Sequence, residues 1–394
     1  MHLIESFLLS TNRFTANLLS LIHFTMLPFE AEHLPIKHIN WPLHVSLLGR
    51  ANRALAKYDG ALYGVPNPEV LLSPLTTQEA VLSSRIEGTQ ASFDEVLKFE
   101  AGEKIADAEK QNDIFEILNY RKALRLAETE LKEKPFNLNL LLKLHEVLMK
   151  SVRGRDRIPG RFRTEQNWIG SKGCKIEEAS FVPPHQLYVP ELLTNWENYY
   201  HSEELDPLAQ LALAHAQFEI IHPFLDGNGR IGRILIPLFL HEKKVLSRPM
   251  FYLSSYLEKN RDLYVSHLRE LGTPGSWDKW LNFFLSALES QAEINAMTAK
   301  AILDLYERLK DEVLVITHSQ YAVPLLDHLF ERPIFRASSL AHAARMPSPQ
   351  MVAIMLRQLR EKNILKVVRE GKGRRSSVLV LSELINLCEG KTVL

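Results

Sequence analysis

Apolar residues recur at helical spacing through most of the chain, and this pattern predicts a mainly α-helical protein. The clearest amphipathic segments are residues 137–150, 207–221, 228–243 and 277–307. In the second of them, Asp206 can cap the helix start and Pro207 fits the first helical position, where its missing N–H costs nothing. This helix has a core face made of Leu211, Ala214, His215 and Phe218.

His222 marks the predicted end of that helix. Pro223 follows it, and the residue before a proline is disfavoured in the helical region. A histidine at the edge of a loop can act as a general base near neutral pH. Taken alone, a histidine beside a helix end is more often structural than catalytic, so its neighbours decide its reading.

A glycine-framed turn comes next. Gly227 and Gly229 flank Asn228, which favours a tight turn with positive φ and lets a ligand approach the backbone closely. The following helix starts at this turn. Its free N–H groups and its dipole therefore form an anion-binding site.

Three charged side chains surround the turn. Arg230 and Arg233 are three residues apart and share one helix face, and guanidinium groups match phosphate oxygens. Asp226 can hold Mg²⁺, which takes one or two carboxylates plus substrate phosphates. Each feature alone is typical of an ordinary turn or surface. Together with His222 they indicate a phosphate-handling active site.

The run from His222 to Arg233, HPFLDGNGRIGR, resembles the HPFx[DE]GNGRxxR signature of the Fic family and departs from it at no defining position. The resemblance implies a Fic-type helical core with a β-hairpin flap, and transfer of AMP from ATP to a protein hydroxyl. It implies that His222 deprotonates the target hydroxyl and that Asp226 binds Mg²⁺ (or Mn²⁺). It also implies an ATP site made of Gly227, Asn228, Gly229, Arg230, Ile231, Gly232 and Arg233, with Tyr264 near the adenine. A relative that phosphorylates carries lysine at the place of Gly229, so glycine favours AMP transfer.

A helix is predicted upstream, starting at Thr76 or Thr77 and ending at Gly88. Ser92 and Glu95 form a capping box for the next helix. From these residues alone, a glutamate just before Gly88 is an ordinary surface residue.

The resemblance changes that reading. The run from Ser83 to Gly88 resembles the [ST]xxxE[GN] inhibitory motif of Fic proteins. It implies that Ser83 and Glu87 are inhibitory, and that Glu87 pairs with Arg233 and displaces the γ-phosphate of ATP. In some relatives the same glutamate helps to remove AMP, so a reverse activity stays open.

Residues 168–170 and 181–185 are short apolar segments around a polar middle, which predicts a β-hairpin. It resembles the Fic flap, with Ile169 and Gly170 as the edge that docks an extended target. An ordinary surface loop is the alternative.

The C-terminal residues 333–394 change in character. A short helix at 338–344, a turn, a helix at 350–362 and a β-hairpin resemble a winged helix-turn-helix domain. Residues 331–394 hold twelve Lys/Arg against five Asp/Glu, which would suit DNA. Winged helices also bind proteins, and we expect Met351, Ile354 and Met355 to be mostly core.

Composition excludes little. The chain has 394 residues, zero net charge, 46% hydrophobic residues and two cysteines, Cys174 and Cys388, without metal-binding spacing. These values are typical of a globular protein of the reducing cytoplasm and indicate no attraction to membranes. Residues 1–25 form an apolar leader without the features of a signal peptide, and Met26 could be the true start.

We therefore predict a 26–115 N-terminal helical region with the inhibitory helix, a 116–288 catalytic domain, a 289–332 helical linker and a 333–394 winged-helix domain. The predicted function is a protein adenylyltransferase that uses ATP and acts on a Tyr, Thr or Ser hydroxyl of a protein. Self-modification and a homodimer stay open. The alternatives are a DNA-binding regulator with a Fic-like sensor domain, a de-AMPylating enzyme, or transfer of another nucleotide.

Overall fold

The computed structural model describes residues 27–150, 157–171, 173–343, 345–373 and 375–393. The predicted mainly α-helical class is confirmed. The helices are α1 (Val45–Tyr63), α2 (Pro68–Leu71), α3 (Ser73–Ile86), α4 (Phe93–Glu100), α5 (Ala108–Glu130), α6 (Leu138–Leu148), α7 (Val189–His201), α8 (Pro207–Ile221), α9 (Asn228–Glu242), α10 (Ser254–Lys259), α11 (Arg261–Glu270), α12 (Ser276–Thr317), α13 (Ala322–Glu331), α14 (Ala337–Leu340), α15 (Pro349–Glu361) and α16 (Ser382–Glu389). The predicted leader at 1–25 and the start at Met26 lie outside the described residues.

Helix α8 lies at the centre of the molecule. Its start is capped as predicted, because the Asp206 carboxylate accepts hydrogen bonds from the N–H groups of Leu208 and Ala209. Nearly all its residues are buried, on every face rather than one, because α1, α7, α9, α11 and α12 surround it. The catalytic loop leaves the C-terminal end of this helix and is therefore fixed to the core.

The long helix α12 packs along α1 and joins the two halves of the chain. At one end of this contact the buried His44 ring bonds to Asp278, with Nε2 2.8 Å from Oδ1. Further along, Arg50 donates to Glu289 over 2.9 Å. The predicted domain boundary between residues 288 and 289 lies inside α12, which is continuous there. This boundary stays a prediction.

Helix α3, for which the inhibitory role is predicted, starts at Ser73, so the predicted start at Thr76 or Thr77 is wrong. Pro74 provides the reason, since its fixed φ suits the first turn of a helix. The predicted end is correct, since the helix runs to Ile86, Glu87 is its C-cap and Gly88 follows at φ +104°. The capping box of Ser92 and Glu95 starts α4 as predicted.

The predicted flap hairpin is reduced to a single bridge between Ile169 and Phe181 among the described residues. The Ile169 N–H donates to the Phe181 carbonyl over 2.8 Å. No ladder extends from it among the described residues, because the next hydrogen-bonded pair would join Asn167 to Pro183, and Pro183 has no N–H to donate. The turn between the bridged residues contains a 3-10 helix, Ile176–Glu178.

Three short strands close the C-terminal part of the chain: β1 (Ile334–Arg336), β2 (Lys366–Arg369) and β3 (Val378–Val380). They form an antiparallel sheet in the order β1-β3-β2, with α14 and α15 between β1 and β2. The order of helices and hairpin agrees with the predicted one, and the winged-helix assignment stays a prediction. Of the three apolar residues expected in the core of α15, only Met355 is buried; Met351 and Ile354 lie on its outer face, 43% and 44% exposed.

The C-terminal part packs back onto the N-terminal helices. Helix α16 lies against α3, and β1 lies against α4. Arg369 forms an ion pair with Glu103 over 2.9 Å, and Arg336 donates to the carbonyl of Gly102. Two of the basic residues of the 331–394 segment therefore hold the protein together. Among the described residues, none of the helices has both the length and the apolar character needed to cross a membrane.

Candidate active site

The loop after α8 has a fixed backbone. His222 adopts the left-handed conformation with φ 48° and ends α8, and Gly227 at φ 82° precedes α9. The Asn228 side chain spans the turn, accepting from the Phe224 N–H and donating to the Phe224 carbonyl, both over 2.8 Å. These two bonds fix the Asn228 side chain across the turn, and the anion-binding role of the turn stays a prediction.

His145 on α6 supports the loop from within the core. Its ring stacks on Phe224 with centroids 3.8 Å apart. Its Nδ1 accepts from the Gly160 N–H, so Nε2 carries the proton and donates to the Asp226 carbonyl over 3.0 Å. Burial lowers the pKa of His145 to about 4, which keeps the ring neutral in this role.

Arg163 holds the other end of the loop. Its Nε donates to the His222 carbonyl over 2.9 Å, and its guanidinium also donates to Ile221 and Pro184 carbonyls. Burial lowers its pKa to about 10. No sequence pattern indicates a role for His145 or Arg163, because their partners are mostly backbone groups. We call His145, Arg163 and Asn228 the loop anchor.

His222 is poised as a base. Its Nδ1 lies 3.3 Å from the Glu219 carbonyl, which can only accept, so Nδ1 carries the proton and Nε2 keeps its lone pair. Burial lowers the pKa of His222 to about 4, although the nearby Glu87 acts in the opposite direction. The ring is therefore neutral at pH 7, as a general base must be.

One cleft of about 420 Å³ brings together residues that are far apart in the sequence. Its lining includes residues predicted for the base, the ATP site, the flap and inhibition. They are His222 for the base, Gly229, Arg233 and Tyr264 for ATP, Ile169 and Gly170 for the flap, and Glu87 for inhibition. The other predicted ATP-binding residues are not part of this lining. Ile231 is fully buried, and Gly232 packs against Glu219 and His215.

Arg233 is only 1% exposed and binds α3. Its Nη2 donates to Glu87 Oε1 over 2.6 Å, the pair predicted from the inhibitory motif, and also to the Ser83 carbonyl over 2.9 Å. Its Nε donates to the Ser83 hydroxyl over 2.8 Å. Burial raises the pKa of Glu87, but the Arg233 guanidinium outweighs this and keeps that pKa below its usual value. We call Glu87 and Arg233 the inhibitory pair, after the role that is predicted for them.

Gly229 makes room for that pair. A Cβ at this position would collide with the Glu87 carboxylate and lie 2.9 Å from Arg233 Nη1. The Glu87 carboxylate and one arm of Arg233 therefore lie directly over the glycine turn, where an anion would bind. The predicted competition between Glu87 and a phosphate has a physical basis, because both need the same space and the same guanidinium.

The second arginine, Arg230, is also paired. Its guanidinium donates to Glu116 over 3.0 Å and lies 3.4 Å from Asp226 Oδ1. The Asp226 side chain is half-exposed, and its Oδ1 also accepts from the Gly227 N–H. Among the described residues, the other carboxylate oxygen, Oδ2, has no hydrogen-bond partner. One such carboxylate fits Mg²⁺ that takes its remaining ligands from phosphates and water. In the described part of the chain no three His, Cys, Asp or Glu side chains form a metal site of their own.

Tyr264 is 3% exposed at the back of the cleft. Its hydroxyl lies 2.9 Å from His215 Nε2, and its ring packs among Trp280 and Phe283. The residue therefore combines a core position with a place in the cleft lining. Glu219 lines the same cleft and was missed from the sequence; burial raises its pKa to about 7.

Two family models match consecutive parts of this chain. The Fic/DOC family N-terminal model matches residues 45–129, and the Fic/DOC family model matches residues 135–240. The chain belongs to the Fic/DOC family. The matched residues include α3, the glycine turn and the whole cleft-side part of α9.

Similar Fic proteins carry names that describe an activity. A "probable protein adenylyltransferase" of Aquifex aeolicus is 31% identical over 209 residues, which are 51% of this chain and 57% of that protein. The protein adenylyltransferase fic-1 of Caenorhabditis elegans is 29% identical over 131 residues, which are 32% of this chain and 24% of the relative. The matches thus span from about a quarter to just over half of the length of these Fic relatives.

Solved structures of Fic proteins share the fold. A Fic family protein from Desulfovibrio desulfuricans superposes with a TM-score of 0.56 at 17% identity, covering 89% of this chain and 98% of that one. A Fic domain protein from Bacteroides thetaiotaomicron gives 0.51 at 21% identity, covering 65% and 97%. At these identities the likeness establishes the Fic fold.

Proposed function

We propose that this Fic protein is a protein adenylyltransferase that transfers AMP from ATP to a Tyr, Thr or Ser hydroxyl of a target protein or of itself. The observation that carries the proposal is the position of His222. This residue, whose Nε2 is unprotonated, lines the same cleft as Gly229 and Arg233. A base beside an anion-binding turn is the arrangement that attack of a hydroxyl on a phosphate requires. The names of the Fic relatives support the same reaction.

In the proposed reaction, His222 Nε2 takes the proton of the target hydroxyl while its oxygen bonds to the α-phosphorus. The bond from that phosphorus to the bridging oxygen of the β-phosphate breaks, and pyrophosphate leaves. The N–H groups at the start of α9 bind the charge that develops on the phosphate oxygens. Asp226 would hold Mg²⁺ (or Mn²⁺), which would neutralise phosphate charge. The loop anchor keeps His222 and Asp226 in place without touching substrate.

The inhibitory pair sets when this reaction runs. Glu87 binds Arg233 and places a negative charge over the turn. It therefore occupies the place of the terminal phosphates and also repels them. Bound ATP would then lack the phosphate contact that aligns its α-phosphorus. Replacing Glu87 by glycine removes this carboxylate without adding a side chain at the helix end. We expect the variant to transfer AMP faster by roughly 10- to 100-fold, as loss of one charged contact implies.

Labelling with α-³²P-ATP and γ-³²P-ATP, using wild type and the Glu87→Gly protein, tests the proposal. Label from the α position alone, and more of it in the variant, is the expected result. Label from the γ position would mean phosphoryl transfer instead. Equal incorporation by the two proteins would remove Glu87 from the account, and a variant that only releases AMP from a modified target would favour the reverse activity. The DNA-binding alternative predicts no incorporation at all.

A further inference from the structure

Ser83 has a contact pattern that its inhibitory assignment does not explain. Both of its bonds to Arg233 hold the guanidinium, and neither places a charge in the cleft. They occupy Nε and one hydrogen of Nη2, while Nη1 lies next to Gly229, where a phosphate would bind. The guanidinium is therefore aimed at the turn by Ser83 and covered there by Glu87. Only the second of these contacts blocks an anion.

Helix α3 is fastened along its whole length. Near its start, the Thr76 and Tyr252 hydroxyls bond over 2.6 Å. In its middle, buried Glu79 accepts from the Ser254 N–H over 3.1 Å and from the Ser254 hydroxyl over 2.5 Å. At its end, Arg261 donates to the Ile86 carbonyl over 2.9 Å. Moving this helix away would break all of these hydrogen bonds. It would leave buried polar groups without partners, which costs free energy.

Glu87 differs from the rest of the helix. It is the C-cap residue, its side chain is 42% exposed, and Gly88 follows it. Its carboxylate can turn away from Arg233 by side-chain rotation, because water replaces the lost partner. Ser83 is fully buried one turn earlier and has no such freedom. The two residues of the same motif thus have opposite mobility.

We propose that inhibition is relieved while α3 stays docked, and that Ser83 is a positioning residue which holds Arg233 ready for the terminal phosphates of ATP in the active protein. The proposal rests on the adenylyltransferase function proposed above. It reverses the expected effect of Ser83 on activity, from inhibition to support of ATP binding. Without the Ser83 hydroxyl, buried Nε has no partner and the guanidinium loses its aim, so the polyphosphate binds more weakly.

The test compares Glu87→Gly with the double variants Glu87→Gly/Ser83→Ala and Glu87→Gly/Ser84→Ala. Ser84 is the matched control, since it is also fully buried on α3 and its hydroxyl has no hydrogen-bond partner in the described part of the chain. Removing the Ser83 hydroxyl should raise the KM for ATP by roughly 10- to 100-fold, as loss of a hydrogen bond to a charged group implies. The Ser84 variant should keep the KM of Glu87→Gly.

Calorimetric binding of ATP and AMP separates positioning from a general structural effect. Arg233 would contact only the terminal phosphates, so Ser83→Ala should weaken ATP binding and leave AMP binding unchanged. Equal loss for both nucleotides, or an unchanged ATP affinity, would overturn the proposal. In an otherwise wild-type protein, Ser83→Ala should not activate transfer; activation would restore the inhibitory reading. If Glu87→Gly transfers no AMP, the proposed function fails, while the two binding constants still decide the role of Ser83.

Discussion

The loop anchor and the inhibitory pair hold the same catalytic loop by different means. The anchor consists of side chains from within the matched Fic domain, bonded mostly to backbone carbonyls and N–H groups. The pair joins the loop to a helix about 150 residues earlier, through one ion pair with a half-exposed carboxylate. Bonds of the first kind fix geometry in every state. A bond of the second kind can open without disturbing the fold, which makes it suitable for control.

Replacing His222 by alanine should give the largest effect, because it removes the proposed general base. We expect AMP transfer by Glu87→Gly/His222→Ala to fall roughly 10²- to 10⁴-fold below that of Glu87→Gly. Radiolabel incorporation measures it, with ATP affinity as the control. Residual transfer near the parent level would show that another group takes the proton.

Arg163→Ala tests the anchor. Four carbonyls, that of Glu165 included, lose a charged donor, so the free energy of unfolding should fall by about 3 kcal/mol. Transfer should fall as well, in the presence or absence of Glu87. Denaturant unfolding and the labelling assay measure the two effects.

Arg161→Ala is the control for this change, since Arg161 is an exposed arginine two residues away. Its unfolding free energy should match wild type within about 0.5 kcal/mol. If Glu87→Gly restored the activity of Arg163→Ala, the distinction between anchor and inhibitory pair would be wrong.

The pH dependence should show the smallest effect. With the pKa of His222 lowered to about 4, its base form persists well below the ordinary value of 6.5. The kcat/KM of Glu87→Gly should therefore stay level from about pH 7 to about pH 5 and fall only in stronger acid. Since Glu87 raises the pKa of His222, this pKa should be lower in Glu87→Gly than in wild type.

The same shift affects stability with a defined sign. A histidine whose folded-state pKa is depressed takes up protons on unfolding, so stability is lost as pH falls from 6.5 toward 4. Unfolding midpoints across that range should show a shallower loss for His222→Ala. An acid limb of kcat/KM near pH 6.5 would contradict the burial of the ring.

Local rules predicted much of this fold. Asp206 and the Ser92–Glu95 capping box start helices as their side chains require, and Pro223 ends α8 at His222. The glycine turn was predicted for the same reason, since positive φ is a local property. Features that depend on a few adjacent residues were therefore accessible from the sequence.

Long-range partners were not accessible in the same way. His145 and Arg163 bond to carbonyls, which every residue has, so no pattern identifies them. The pairing of Glu87 with Arg233 came from the resemblance to Fic proteins and not from spacing.

Gly229 constrains both the inhibited state and the catalytic state proposed for this site. The space left by its missing side chain holds the Glu87 carboxylate, and in the proposed reaction a nucleotide phosphate would take that place. Any descendant with a larger residue at this position would lose its resting state and its substrate geometry in one mutational step. The inhibited form and the catalytic form therefore both require that position 229 has no side chain.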